Sequence, residues 1–349
     1  MSHLCKLNIP EMVEPYNTAK VIRDESIMPL YKKGESGDLV ITLMDDIKEV
    51  ISLTTATKDR TFEEGKDYLV KDGKRVIPAG SEIYVMPWEE YNPTEGTPFE
   101  CTLGGCLIFG GANDFHKKQY SVTYIPSSNI FEGNYFPTRS EALEKSRNIL
   151  TKRQMKLAFF GDSITFGCNS SGLFEGAEPY LPIYPQLVAK ALREKGCKID
   201  YYNPSIGGES SVWGRRTAHF YFDEFKPDLT VIAFGMNDGT GKLPVNDFIA
   251  NTESIINDIR EKNPDAEFIL VATTLPNPIS RFTGFQPDYE APLKALAERK
   301  NCAFLDMTEL HRALLTRKDY HHMTGNNINH PTDFLARLYA QGILALLDY

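Results

Sequence analysis

At 349 residues, with 42% hydrophobic and 24% charged positions, the chain has the make-up of a globular protein and the length for two domains with their own cores. A formal charge of −9 argues against a nucleic-acid partner, because phosphate binding needs clustered Lys and Arg. No apolar run nears the roughly 18 residues of a membrane span, and the first ten residues lack a basic segment followed by an apolar stretch, so neither a membrane nor a signal peptide is expected.

The first half, from about 20 to 126, is short and alternating. Segments 38–44, 49–55, 81–86 and 119–125 are rich in β-branched and aromatic residues, with turn signals such as Asp72-Gly73 and Gly104-Gly105 between them. This predicts an all-β sandwich or jelly roll over 1–130. A joint follows over 131–154, where Thr138 and Glu141 have the spacing of a capping box opening a helix to about residue 152. Beyond it, the runs 156–160, 229–234, 267–272 and 302–305 are apolar at nearly every position, as strands covered on both faces are. Helical stretches at 184–195, 244–262, 289–299 and 333–347 alternate with them. Such alternation predicts an α/β domain over 155–349, three layers deep around a parallel sheet.

The six cysteines (Cys5, Cys101, Cys106, Cys168, Cys197, Cys302) show no ligand spacing. Without an export signal they read as reduced thiols, and the chain as cytoplasmic. His321, His322 and His330 lie close in sequence, but there is no His-Glu-x-x-His or Cys-x-x-Cys pattern. No metal and no cofactor are expected.

Four short segments carry the chemistry. Ser163, in Gly161-Asp162-Ser163-Ile164, stands on a strand-to-helix turn, where a hydroxyl faces the carboxyl end of a sheet and the first helical N–H groups lack partners. Gly208 ends Asn203-Pro204-Ser205-Ile206-Gly207-Gly208, and a glycine N–H can approach a substrate oxygen closely. Asn237, in Gly235-Met236-Asn237-Asp238, offers a neutral amide donor to a developing oxyanion. His330 precedes Pro331 and the last helix, and an imidazole there serves as general base. Each alone has a plainer reading as a helix cap, a turn glycine or a structural histidine. Gly111-Ala112-Asn113-Asp114 imitates the third segment but precedes the serine and lies in the β half.

In this order the segments resemble the SGNH (GDSL-like) hydrolases, named for their Ser, Gly, Asn and His blocks. The resemblance covers 157 to about 345 and implies a flavodoxin-like α/β/α fold and a serine esterase. It also selects Gly208 over Gly207 as the oxyanion donor. The family places Asp three residues before the histidine; here that residue is Asn327. Three readings stay open: Asn327 orients the ring, a backbone carbonyl does, or Asp333 replaces the acid. The β half also looks like the accessory domain of some carbohydrate esterases. The resemblance therefore implies cleavage of short-chain, chiefly acetyl, esters of small molecules or oligosaccharides through an acyl-Ser163 intermediate. Phe166, Tyr184, Trp213, Phe282 and Phe285 are candidates for a sugar-stacking rim. The rivals are a general acyl esterase, thioesterase or lipase-like acylhydrolase, and an inactive glycan-binding protein.

Overall fold

The computed structural model describes residues 7–96, 99–127, 135–152, 154–174 and 176–349. In the first half, helix α1 (Ile9–Met12) precedes strands β1 (Ile22–Ile27), β2 (Leu39–Ile41), β3 (Ile47–Thr55), β4 (Thr61–Phe62), β5 (Leu69–Lys71) and β6 (Lys74–Ile77). Helix α2 (Trp88–Tyr91) and strand β7 (Tyr120–Pro126) complete it. The strands form two antiparallel sheets, ordered β1-β7-β3-β4 and β2-β6-β5. Two expectations fail here. Residues 81–86 form no strand; Met86 makes an isolated bridge to Leu30, and its backbone bonds go to Pro29 and Tyr31. The Thr138 capping box does not form either. A 3-10 turn at Glu141–Leu143 leads into helix α3 (Glu144–Thr151), whose first N–H groups, on Lys145 and Ser146, donate to the buried Glu267 carboxylate at 2.9 and 2.7 Å. A charge brought by the fold replaces the local cap. Residues 128–134, which include the start of the joint, and Cys5 lie outside the described residues; the five described cysteines are free thiols.

The second half opens with β8 (Gln154–Gly161), α4 (Ser163–Phe166), α5 (Tyr184–Glu194), β9 (Lys198–Tyr202) and α6 (Ser211–Phe225). Next come β10 (Leu229–Ala233), α7 (Met236–Thr240), α8 (Val245–Lys262), β11 (Glu267–Ala272) and α9 (Glu290–Arg299). Strand β12 (Ala303–Asp306), α10 (Met307–Leu315) and α11 (Asp333–Leu346) end the chain. Five parallel strands make one sheet, ordered β12-β11-β10-β8-β9. Alternate residues serve its two faces: Leu157, Phe159 and Val231 join one core, and Ala158, Phe160 and Ile232 join the other. Strands β10 and β11 are buried at every position, which is why they read as nearly continuous apolar runs.

The first of these cores extends into the β-rich half, taking in Ile22, Leu53 and Tyr124. Helix α11 has twelve of its fourteen residues buried, as a helix covered on all sides must. Its Arg337 guanidinium donates to the carbonyls of Arg23 (2.5 Å) and Asp24 (3.0 Å). Strand β8 has β9 on one side and β10 on the other, so the chain reverses its direction of build beside β8. Open α/β sheets bind ligands at such a point, outside the carboxyl ends of the strands. Among the described residues no helix is long and apolar enough to cross a membrane.

Candidate active site

Ser163 is the first residue of α4, immediately beyond β8. The turn is set by Asp162, whose side chain accepts from the Ile164 N–H at 3.0 Å as an N-cap. Burial lifts that carboxyl to about 7, against the pull of backbone N–H donors from Ile164 and Met236. Gly161 leaves no room for a side chain, since a Cβ would lie 2.5 Å from the Ala233 carbonyl oxygen and 2.4 Å from Thr165 Oγ1. The hydroxyl is thus aimed from a turn pressed against the end of β10.

The other segments are bonded to this turn and to one another. Ser205 Oγ accepts from the Gly161 N–H (2.9 Å), and Asn203 Nδ2 donates to the Thr165 carbonyl (3.0 Å). A Cβ on Gly207 would come 3.8 Å from Ser163 Cβ. Gly208, one step further along an exposed turn, has φ +83°, a left-handed conformation that suits glycine. Asn237 Nδ2 donates to the Glu209 carbonyl at 2.8 Å, which turns its amide nitrogen toward the second segment and leaves one N–H of the NH₂ group for another acceptor. Asp238, its carboxyl pushed up by burial, accepts from the Ser211 N–H at 3.0 Å and from its hydroxyl at 2.5 Å.

His330 Nε2 lies 2.9 Å from Ser163 Oγ. Its loop is gathered on one oxygen: Asn326 Oδ1 accepts from the N–H groups of Ile328 (2.9 Å), Asn329 (3.0 Å) and His330 (3.0 Å). Burial pushes the imidazole down to about 4, so the ring is neutral near pH 7 and able to take a proton.

The partner of the second ring nitrogen is Asn169, whose Oδ1 lies 2.6 Å from His330 Nδ1. None of the three readings open in the sequence holds. Asn327 is fully buried and spent elsewhere: its Oδ1 accepts from the Tyr91 hydroxyl (2.8 Å) and Asn277 Nδ2 (3.0 Å), and its Nδ2 donates to the Ile108 carbonyl (3.0 Å). It braces the histidine loop and does not touch the ring. Asp333 accepts from the Ser171 N–H at 2.9 Å. Asn169 has φ +64°, which asparagine tolerates, and its only mark in the sequence is the polar turn Asn169-Ser170-Ser171-Gly172.

Within the expected aromatic rim Tyr184 is core, whereas Trp213, Phe282 and Phe285 are partly buried at the edge of the apolar clusters. Tyr184 is buried and stacks on Tyr339 (5.0 Å), Trp213 packs on Phe160 (5.3 Å), Phe282 meets Phe99 edge-on (5.4 Å), and Phe285 lies against the second core. Phe166, on α4, is likewise partly buried and contacts Phe174 at 5.9 Å; Phe174 is 83% exposed. The loop after β11 braces α7, with Gln286 Nε2 donating to the Met236 carbonyl (3.1 Å) and Thr240 Oγ1 (3.0 Å).

One set of metal-type ligands occurs among the described residues: Asp319, His321 and His322, with ligand atoms within 4.8 Å of one another. Two of the three are committed. His322 Nδ1 accepts from the Met28 N–H (3.0 Å), which places its own proton on Nε2, and Asp319 pairs with Lys32 at 3.1 Å.

Known proteins resemble this chain in part of their sequence and in fold. An "Arylesterase" from Vibrio mimicus is 29% identical over 106 residues, 30% of this chain and 49% of that protein. A two-domain esterase (CEX) active on acetylated mannans matches with a TM-score of 0.50 at 21% identity, over 63% of this chain and 55% of that one. Axe2, an acetylxylan esterase from Geobacillus stearothermophilus, matches with a TM-score of 0.46 at 19% identity, over 56% of this chain and 94% of that one. The chain spans about half the length of the arylesterase and of the mannan esterase. The model of the GDSL-like Lipase/Acylhydrolase family matches residues 159–337, from the end of β8 into α11, and the chain belongs to that family.

Proposed function

We propose that the protein is a serine esterase that removes short acyl groups, acetyl foremost, from oxygen esters of carbohydrates. The observation that carries this is Ser163 Oγ at 2.9 Å from a neutral imidazole at the sheet's switch point. Ser163 Oγ attacks the acyl carbon while its proton passes to His330 Nε2. The oxyanion is met by the second N–H of the Asn237 amide and the backbone N–H groups of Gly208 and Ser163. On collapse the C–O bond to the alcohol breaks, and His330 returns the proton to the leaving oxygen. Water, deprotonated by the same nitrogen, then releases the acid and restores Ser163.

The carbohydrate part rests on Phe174, exposed beside the nucleophile helix as a face on which a sugar ring can stack. The mannan esterase likeness is one of fold.

Rates on p-nitrophenyl acetate and octanoate, and on acetylated xylo- and manno-oligosaccharides, test the reading. Acetate is expected to exceed octanoate, and Phe174→Ala to raise KM for oligosaccharides while leaving p-nitrophenyl acetate unchanged. Faster octanoate turnover would make it a lipase-like acylhydrolase. A folded protein inert on all of them would leave a glycan-binding role.

A further inference from the structure

We propose that the turn at residues 110–112, in the β-rich half, sets the proton position on His330 through Asn169, and that residue 169 must for this reason be an amide and not a carboxylate. The inference rests on the reading of His330 as the base. Asn169 Nδ2 donates to the Ala112 carbonyl at 2.7 Å and to the Gly110 carbonyl at 3.2 Å. Carbonyl oxygens only accept, so the amide nitrogen has to face them and Oδ1 has to face the ring. Oδ1 also only accepts, so His330 Nδ1 carries the proton. The lone pair of Nε2 is then turned to Ser163 Oγ–H, as removal of its proton requires.

The same geometry excludes the charged partner usual in such sites. An aspartate at 169 would hold its second carboxylate oxygen against the two carbonyl oxygens, with no hydrogen between them. It would have to rotate away or take up a proton, and either change disturbs the ring.

The turn that makes this demand is held firmly. Its own bond runs from the Asp114 N–H to the Gly111 carbonyl (2.9 Å). Gly110 is pressed against the buried Phe115, so that a Cβ would come 2.9 Å from the Phe115 backbone nitrogen. Neighbouring residues grip the histidine loop itself: Gln119 Nε2 donates to the Thr324 carbonyl (2.8 Å), and the Ile108 carbonyl accepts from Asn327 (3.0 Å). One stretch of the β-rich half thus holds the base loop and the side chain that orients the base. Asn169 is a positioning residue, and the β-rich half is part of the catalytic centre.

The test uses the full chain with Asn169→Asp, Asn169→Gly (glycine accepts φ +64°) and Gly110→Ala. Histidine ¹⁵N NMR at neutral pH should show the Nδ1–H form of His330 in the wild type and a mixture in Asn169→Gly. Both residue-169 variants should lose roughly 10²-fold or more in kcat on p-nitrophenyl acetate, with KM nearly unchanged. Gly110→Ala should shift the tautomer in the same direction; if it does not fold, the residue-169 variants decide alone. An Nδ1–H tautomer unchanged in Asn169→Gly, or wild-type kcat in Asn169→Asp, would overturn the proposal. A wild type inert on every ester but holding the Nδ1–H form would refute the esterase reading and leave the positioning role standing.

Discussion

His330 lies next to an amide, with no charged partner on its second nitrogen, and this governs its pH behaviour. Burial without a carboxylate pushes the ring down to about 4, so the neutral, base-competent form persists as the solution is acidified. The acid limb of kcat/KM that belongs to His330 should fall near pH 4 and not near 6.5, apart from any step near 7 set by Asp162; an NMR titration of the His330 ring near 6.5 would show that the ring is solvated in the free enzyme. Ser163→Ala should remove several orders of magnitude from kcat with the fold intact, and a fluorophosphonate probe should label Ser163 and no other serine. On the proposed mechanism Asn237→Ala should raise the barrier by about 2.7–4 kcal/mol with KM little changed, because the alkoxide exists only in the tetrahedral state. A rise in KM at constant kcat would place Asn237 on the ground state instead.

The elements that present these side chains are joined by close packing at glycines. Gly161, at the end of β8, sits against β10 and the first turn of α4, and Gly214 of α6 lies under Phe234 and Ile255. Gly161→Ala would force the nucleophile turn away from β10. It should cost about 1–3 kcal/mol of stability, with a loss of kcat beyond what the lower stability explains. Thermal melts together with kcat well below Tm check this, and full activity with a lowered Tm would show that the turn shifts as a rigid unit. Helix α6 has no counterpart among the helices expected from the sequence. Its buried positions, Ser211, Gly214, Ala218 and Phe222, keep helical spacing, but three of the four are small, so the apolar stripe is faint. The cap of α3 was equally hidden, because Glu267 stands 121 and 122 positions from the N–H groups it accepts.

Across the whole molecule, the two halves are joined by a buried charge pair. Lys318 donates to Glu25 of β1, and both side chains are fully buried. The Glu25 carboxylate also accepts from the Met44 N–H and the Tyr124 hydroxyl, each at 2.7 Å. Lys318→Met leaves that carboxylate buried without its cation and should cost about 3–5 kcal/mol in urea denaturation. Adding Glu25→Gln should recover most of the loss, since it removes the uncompensated charge while Oε1 still accepts from the Met44 N–H and Nε2 can donate to the Tyr124 oxygen; additive losses would mean that the two residues act independently. A pair this deeply buried across the join agrees with the continuous core and with the grip of residues 108–119 on the histidine loop.

The sequence by itself determined the strand–helix alternation of the second half, the β-rich texture of the first, and the placing of Ser163, Asn237 and His330 at the ends of strands or loops. These are local matters: burial on both faces writes an apolar run, and a strand-to-helix turn needs its glycine and cap within a few residues. Only the tertiary structure decided which side chain faces the second nitrogen of His330. Asn169 is 161 positions from the histidine and 57 and 59 from the carbonyls that fix its amide, and no periodicity links such groups. Asn327 stands where a familiar spacing points, yet three buried bonds hold its amide elsewhere. A hydrogen bond is decided by which donors and acceptors the fold brings within about 3 Å, and that is a property of the packed chain.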